Sequence, residues 1–242
     1  GSGDSSSVIQ GGGTDLTRTM GQVKAGDIGK TKIINLQAAK AEVARDEAVK
    51  LKQLKSRVEK IFESNPRLGA YRKQIKLDLT SEGLRIQIID DQNRPMFDTG
   101  RATVHDWMRE ILRELGALLN EVENKVSLAG HTDAAPYFLG DRGYSNWELS
   151  ADRANASRRE LVAGGIAENK IIRVVGLASS IPLNSADPFD QINRRISIVV
   201  LNKQTEEMIT SEGTGVQVPD AEQAGEMIQA VTPGLDSPNA GR

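Results

Sequence analysis

The chain has 242 residues, 38% of them hydrophobic and 26% charged, and its 31 basic and 33 acidic side chains leave a formal net charge of −2. That balance excludes the basic face a nucleic-acid binder needs, and the lack of cysteine excludes disulfides, thiolate nucleophiles and Cys-ligated zinc. The length fits one core of ordinary size with long extensions.

Residues 1–34 are rich in Gly, Ser, Thr and Asp and include the run Gly11-Gly12-Gly13. Their few large apolar groups cannot offset the entropy of ordering, which predicts a flexible linker. No stretch approaches the roughly eighteen apolar residues of a membrane-spanning helix, and no signal-peptide pattern opens the chain. Residues 35–70 read as an amphipathic linker helix. Leu36, Val43, Leu51, Leu54, Val58 and Ile61 recur at three- and four-residue steps or their sums, and Asn65-Pro66 ends the run. The stripe falters between Val43 and Leu51, which favours a short contact over a long coiled coil. That stripe has three available uses: packing on the domain, pairing with a second copy, or bridging to a membrane segment.

The period then changes to two. Ile75, Leu77 and Leu79 alternate with Lys76, Asp78 and Thr80, and Leu84, Ile86 and Ile88 alternate with Arg85 and Gln87, so two strands are predicted around a Ser81-Glu82-Gly83 hairpin. Trp107, Ile111, Leu112, Leu115, Leu118 and Leu119 mark an amphipathic helix, and Lys125–Ala129 reads as a strand ending at Gly130. Ser145-Asn146-Trp147-Glu148 fits a capping box that opens a second helix, and Gly164-Gly165 stops it. Ile171–Val175 and Ile196–Leu201 are two further strands. The order β-β-α-β-α-β-β predicts an α+β domain over residues 71–203, a mixed sheet with helices packed on it. Residues 204–242 are predicted to be mostly disordered after a short amphipathic stretch.

The chemistry concentrates in "AGHTDAAPYFLGDRGYSNWELSADRANASRREL", residues 129–161. A catalytic triad is not supported: His105 and His131 are the only histidines, no G-x-S-x-G elbow is present, and residues two apart in a strand do not face each other. A metal site would need a third ligand beside His131 and Asp133. His131 reads as a half-buried strand-end residue whose ring bonds a backbone group. Binding suits the residues better. Asp133 lies just past a strand end and Arg153 on the following helix, at the sheet end where alternating α/β architectures gather ligands. A carboxylate beside a guanidinium complements a zwitterion, because Asp takes an ammonium and the Arg fork takes a carboxylate. Asn146, two helical turns before Arg153, shares its helix face. On spacing alone, an ordinary Asp133–Arg153 ion pair is an equal alternative.

Gly130-His131-Thr132-Asp133, Leu149-Ser150 with Arg153-Ala154, and Asn193-Arg194-Arg195 before a strand resemble the signature of the OmpA-like peptidoglycan-binding domain. "LRIQIIDDQNRPMF" at 84–97, "GYSNWELSADRANASRREL" at 143–161 and "INRRISIVVLNK" at 192–203 place the resemblance in the motility branch, the stator proteins of the flagellar motor. It covers about residues 71–203. The resemblance implies a βαβαββ-type fold in the periplasm that binds the diaminopimelate of the peptide stem, with no enzymatic activity and no cofactor. It implies Asp133 and Arg153 as principal contacts, Thr132, Asn146 and Leu149 as lining, and Arg194 approaching from the last loop; Arg195 is adjacent, and strand alternation requires one of the two to point away. The implied partners are a second copy, a MotA-type stator subunit and flagellar basal-body ring proteins. A membrane helix bearing a proton-accepting aspartate is expected ahead of this chain in the inner membrane, and the position of the 35–63 helix is expected to regulate wall contact. Ala134–Gly143 is longer than the general family loop and carries the exposed-looking Tyr137 and Phe138.

Overall fold

A computed structural model describes residues 25–91, 93–138 and 143–212, with side chains from residue 36 onward. The chain divides into two compact units, residues 1–47 and 48–242. The described part of the first is helix only, and its Leu36 and Val43 are exposed. The helix α1 (Ala25–Ser64) begins inside the stretch predicted as linker; the rest of that linker, residues 1–24, lies outside the described residues. Its end agrees with the Asn65-Pro66 signal. There Asn65 accepts a hydrogen bond from the Arg67 amide and caps a single further turn, α2 (Pro66–Gly69).

In the second unit five strands form one sheet in the order β1-β2-β5-β3-β4. The hairpin β1 (Ile75–Thr80) and β2 (Gly83–Ile89) pairs antiparallel with β5 (Arg195–Leu201), which pairs antiparallel with β3 (Val126–His131), and β3 runs parallel to β4 (Ile171–Gly176). Helix α3 (Asp106–Asn120) connects β2 to β3, and α4 (Asn146–Ala163) is the crossover between the parallel strands, which cannot be joined by a tight turn. Strand alternation sorts the faces. Leu84, Ile86 and Ile88 stand opposite Val200, Ile198 and Ile196 in register, and Val126 and Leu128 continue that row across the sheet. All of these are buried against Ile111, Leu112, Leu115 and Leu119 of α3, Leu161 of α4, and Leu54, Val58 and Phe62 of α1. Each such side chain contributes roughly 1.5–3 kcal/mol on burial. The α1 stripe from Leu51 onward is therefore ordinary core, with Phe62 buried and its neighbour Ile61 only partly so.

Two glycines set how closely α4 can lie on the sheet. A Cβ at Gly130 would stand 2.0 Å from the Ser150 carbonyl oxygen, and one at Gly176 would stand 2.5 Å from the Ala151 nitrogen. After β5, α5 (Lys203–Ser211) occupies the predicted amphipathic stretch, capped by Asn202, whose side chain accepts from the Thr205 amide. The remainder of the predicted tail, residues 213–242, lies outside the described residues. Among the described residues no helix is long and apolar enough to cross a membrane.

Candidate functional site

The ends of β2 and β3 and the beginning of β5 lie together at one end of the sheet, and α4 starts there as well. The start of α4 is set locally: the Ser145 hydroxyl accepts from the Trp147 amide while Glu148 accepts from the Ser145 N–H, the reciprocal arrangement predicted from the sequence. Two turns on, this helix delivers Arg153 to the sheet end.

Arg153 is only 8% exposed. Its Nε donates to the Arg101 carbonyl at 3.0 Å and its Nη2 to the Asp98 carbonyl at 3.3 Å, and the guanidinium lies 5.0 Å from the centre of the Phe97 ring. Those acceptors belong to a tight loop, closed by the Phe97–Val104 bridge and by the Asp98 amide donating to Thr103. No carboxylate among the described residues is within ion-pair distance of Arg153, and its Nη1 has no hydrogen bond there. Burial holds its pKa below the ordinary value; Asp90 opposes this most, Arg194 adds to it, and Tyr144 and Asp133 also oppose it. A buried guanidinium with an open donor is a receptor for an anion.

Asp133 is paired elsewhere. Its Oδ2 accepts from Arg194 Nη1 at 2.7 Å and its Oδ1 from the Ala135 amide at 3.1 Å, so the Asp133–Arg153 ion pair allowed by spacing is replaced by an Asp133–Arg194 pair. Arg194 also donates from Nε to Asp90 Oδ2 at 2.7 Å. Burial alone would lower Arg194; the hydrogen bonds to Asp90 and Asp133 outweigh it and leave the group raised. Asp90 went unassigned in the sequence reading, although an acidic residue directly after a strand that ends beside β3 carried the same positional signal as Asp133. Arg195 turns away from this cluster, as alternation requires: its Nη2 donates to the Ile181 carbonyl, and burial, then Arg85, lowers it to about 10.

Of the other candidate lining residues, Thr132 adjoins Asp133, and Asn146 and Leu149 lie on the first turn of α4. Thr132 is buried, its amide donates to the Ala178 carbonyl, and its Oγ1 has no partner among the described residues. Leu149 is buried on the first turn of α4. Asn146 is half-buried and spends its Nδ2 on the Ala135 carbonyl at 2.8 Å, so it ties the loop after Asp133 to the helix. Of the two aromatic residues in that loop, Phe138 is exposed but Tyr137 is half-buried, donating its hydroxyl to the Gly100 carbonyl at 3.0 Å. The Phe138 ring rests on Gly100, whose φ of 64° and lack of a Cβ permit the contact. The segment 134–138 is thus stitched to the loop that holds Arg153; residues 139–142 of the predicted long loop lie outside the described residues.

His131 departs from expectation. It is buried rather than half-buried, and its Nδ1 has no partner among the described residues. The cause is its place on β3, flanked by β5 and β4, where it stands directly opposite Arg195. Burial first, then Arg195 and Arg85, holds its pKa down to about 3. Among the described residues no group of three His, Asp or Glu side chains is arranged to hold a metal ion.

Comparison with known proteins shows what these residues resemble. Residues 96–195 match the model of the OmpA family. The chain is 50% identical over 214 residues to Motility protein B of Escherichia coli K12, across 88% of this chain and 66% of that protein. It is 38% identical over 135 residues to a truncated flagellar export/assembly protein, LafU, of the same organism, across 56% of this chain and 63% of that one. A crystal structure of a MotB-like protein from Desulfovibrio vulgaris shares the fold, with a TM-score of 0.55 and 22% identity over 66% of this chain and 98% of that chain. Residues 96–195 are thus similar to the OmpA family, and the chain is similar to Motility protein B, of which it spans 66% of the length.

Proposed function

We propose that this chain is the periplasmic, peptidoglycan-binding part of a flagellar-motor stator protein, and that it acts as an anchor and not as an enzyme. The carrying observation is Arg153: a buried guanidinium that among the described residues has no carboxylate partner and keeps an open Nη1, beside an Asp133 that a second guanidinium orients. Arg153 takes the carboxylate of a diaminopimelate stem residue and Asp133 its ammonium, while Thr132 Oγ1 offers a hydroxyl and Leu149 an apolar wall. Asn146 positions the loop above them. The 50% identity to Motility protein B supports the motor assignment, in which an intact protein held in the inner membrane couples a MotA-type subunit to the wall. A stator exerts torque only against an immobile frame, and the covalent wall polymer supplies one. Charge-assisted bonds contribute roughly 1.5–3 kcal/mol each before desolvation, so single sites bind weakly and a homodimer gains avidity.

Sedimentation with purified diaminopimelate-type sacculi tests the reading. The native chain co-pellets without releasing soluble muropeptides. Arg153→Ala weakens the association about thirtyfold or more, and Asp133→Asn about tenfold. Unchanged pelleting of both variants, or release of muropeptides, overturns the assignment. Fusion to a stator membrane helix distinguishes a motility anchor from an OmpA-like wall anchor of another kind, since only the former restores swimming.

A further inference from the structure

Asp90 holds Arg194 by both main chain and side chain. Its N–H donates to the Arg194 carbonyl at 3.0 Å, its Oδ2 accepts from Arg194 Nε at 2.7 Å, and its Oδ1 is fixed by the Met96 amide at 2.7 Å. The two carboxylates that bind Arg194 are 10% and 13% exposed in their side chains, so neither charge is dispersed into water. This matters for what Asp133 can still attract. Two carboxylates against the single Arg194 guanidinium leave one negative charge, and the neighbouring Arg153 brings the group of four to neutrality. Without Asp90, Arg194 and Asp133 would neutralise each other, and Arg153 alone would set the sign of the site. Such a site would accept any carboxylate and gain little from an adjacent ammonium.

We infer that Asp90 is a specificity-determining residue of the site: by offsetting the charge of Arg194 it keeps Asp133 available for an ammonium, so the site selects a head group bearing both carboxylate and ammonium over a bare carboxylate. Asp90 does this without touching the ligand. The inference rests on the peptidoglycan-binding reading and goes beyond it by naming what enforces the amine requirement. Asp90 precedes residues 96–195, the part that matches the family model.

The test uses two soluble muramyl tripeptides that end in diaminopimelate, one with its side-chain amine free and one with it acetylated, titrated into the full chain by calorimetry. The native chain prefers the free amine by about tenfold or more. Asp90→Asn keeps an oxygen for the Met96 amide but loses the charge and the acceptor for Arg194 Nε; its preference falls to within about threefold. Arg194→Gln works in the opposite direction, leaving two carboxylates against the single Arg153 guanidinium, and raises the preference above that of the native chain. This second variant decides the matter even if Asp90→Asn fails to fold. A native-like preference in Asp90→Asn, loss of both ligands by a folded Asp90→Asn, or an unraised preference in Arg194→Gln overturns the role of Asp90 and leaves the wall-binding reading standing. Failure of the native chain to bind either tripeptide overturns both.

Discussion

Where β3 and β4 begin, the Lys170 ammonium donates to the Asn120 carbonyl at 2.6 Å, to that of Leu119 at 3.3 Å and to that of Val122, closing the last turn of α3. Nearby, Asn120 Oδ1 accepts from the Ala167 amide and Asn124 Nδ2 donates to the Leu201 carbonyl. Burial, then Lys125, lowers the Lys170 pKa, with Glu123 opposing. At the opposite end of the same sheet, among the described residues, Arg153 keeps an open Nη1 and the buried polar atoms without a partner gather: His131 Nδ1, Thr132 Oγ1, Arg195 Nε and Gln191 Oε1. Each costs roughly 1–3 kcal/mol of desolvation left uncompensated. One cation is spent entirely on holding backbone ends, while the other is held open. The difference teaches that the fold leaves its unsatisfied polar groups at one end of the sheet; Arg153 and Thr132 adjoin the candidate site, where a ligand can supply the missing partners, whereas His131 and Arg195 stand on the face turned away from it.

The largest expected effect on this contrast comes from acid. The free His131 value is 6.5 and the folded value about 3, so the unfolded chain takes up a proton first as pH falls. Stability is then fully present above pH 6.5 and is lost progressively from there toward pH 3, by about 3 kcal/mol between pH 7 and pH 4. Urea unfolding at several pH values measures this slope, and His131→Gln flattens it. Next is Lys170→Met, which removes the donor from three carbonyls and lowers stability by about 2 kcal/mol while sacculus binding stays within about twofold. Lowered wall binding in that variant would break the division between the two ends. The smallest effect runs the other way. Thr132→Val deletes an unpartnered buried hydroxyl at nearly constant shape, so thermal unfolding shows a gain of about 1 kcal/mol while wall binding weakens.

Much of the fold was legible because its signals are local. The alternation in Leu84, Ile86 and Ile88, the Ser145–Glu148 capping box and the Asn65-Pro66 stop each act within a few residues, and each appears where predicted. The start of α1 was misjudged because the linker was drawn from composition, whereas the helix extends back to Ala25. His131 was misjudged because burial depends on which strands flank β3, and no local pattern carries that information.

The amino-acid order by itself determined the elements, the face each strand turns to the core, and the placement of Asp133 past a strand end with Arg153 on the next helix. Only the tertiary structure decided which charges meet. Arg194 is 104 residues from Asp90 and 61 from Asp133, and all three converge because β5 inserts between β2 and β3. Periodicity and capping are short-range and can be read along the chain, but an ion pair depends on distance in space, and strand order alone brings those distant positions within hydrogen-bonding reach.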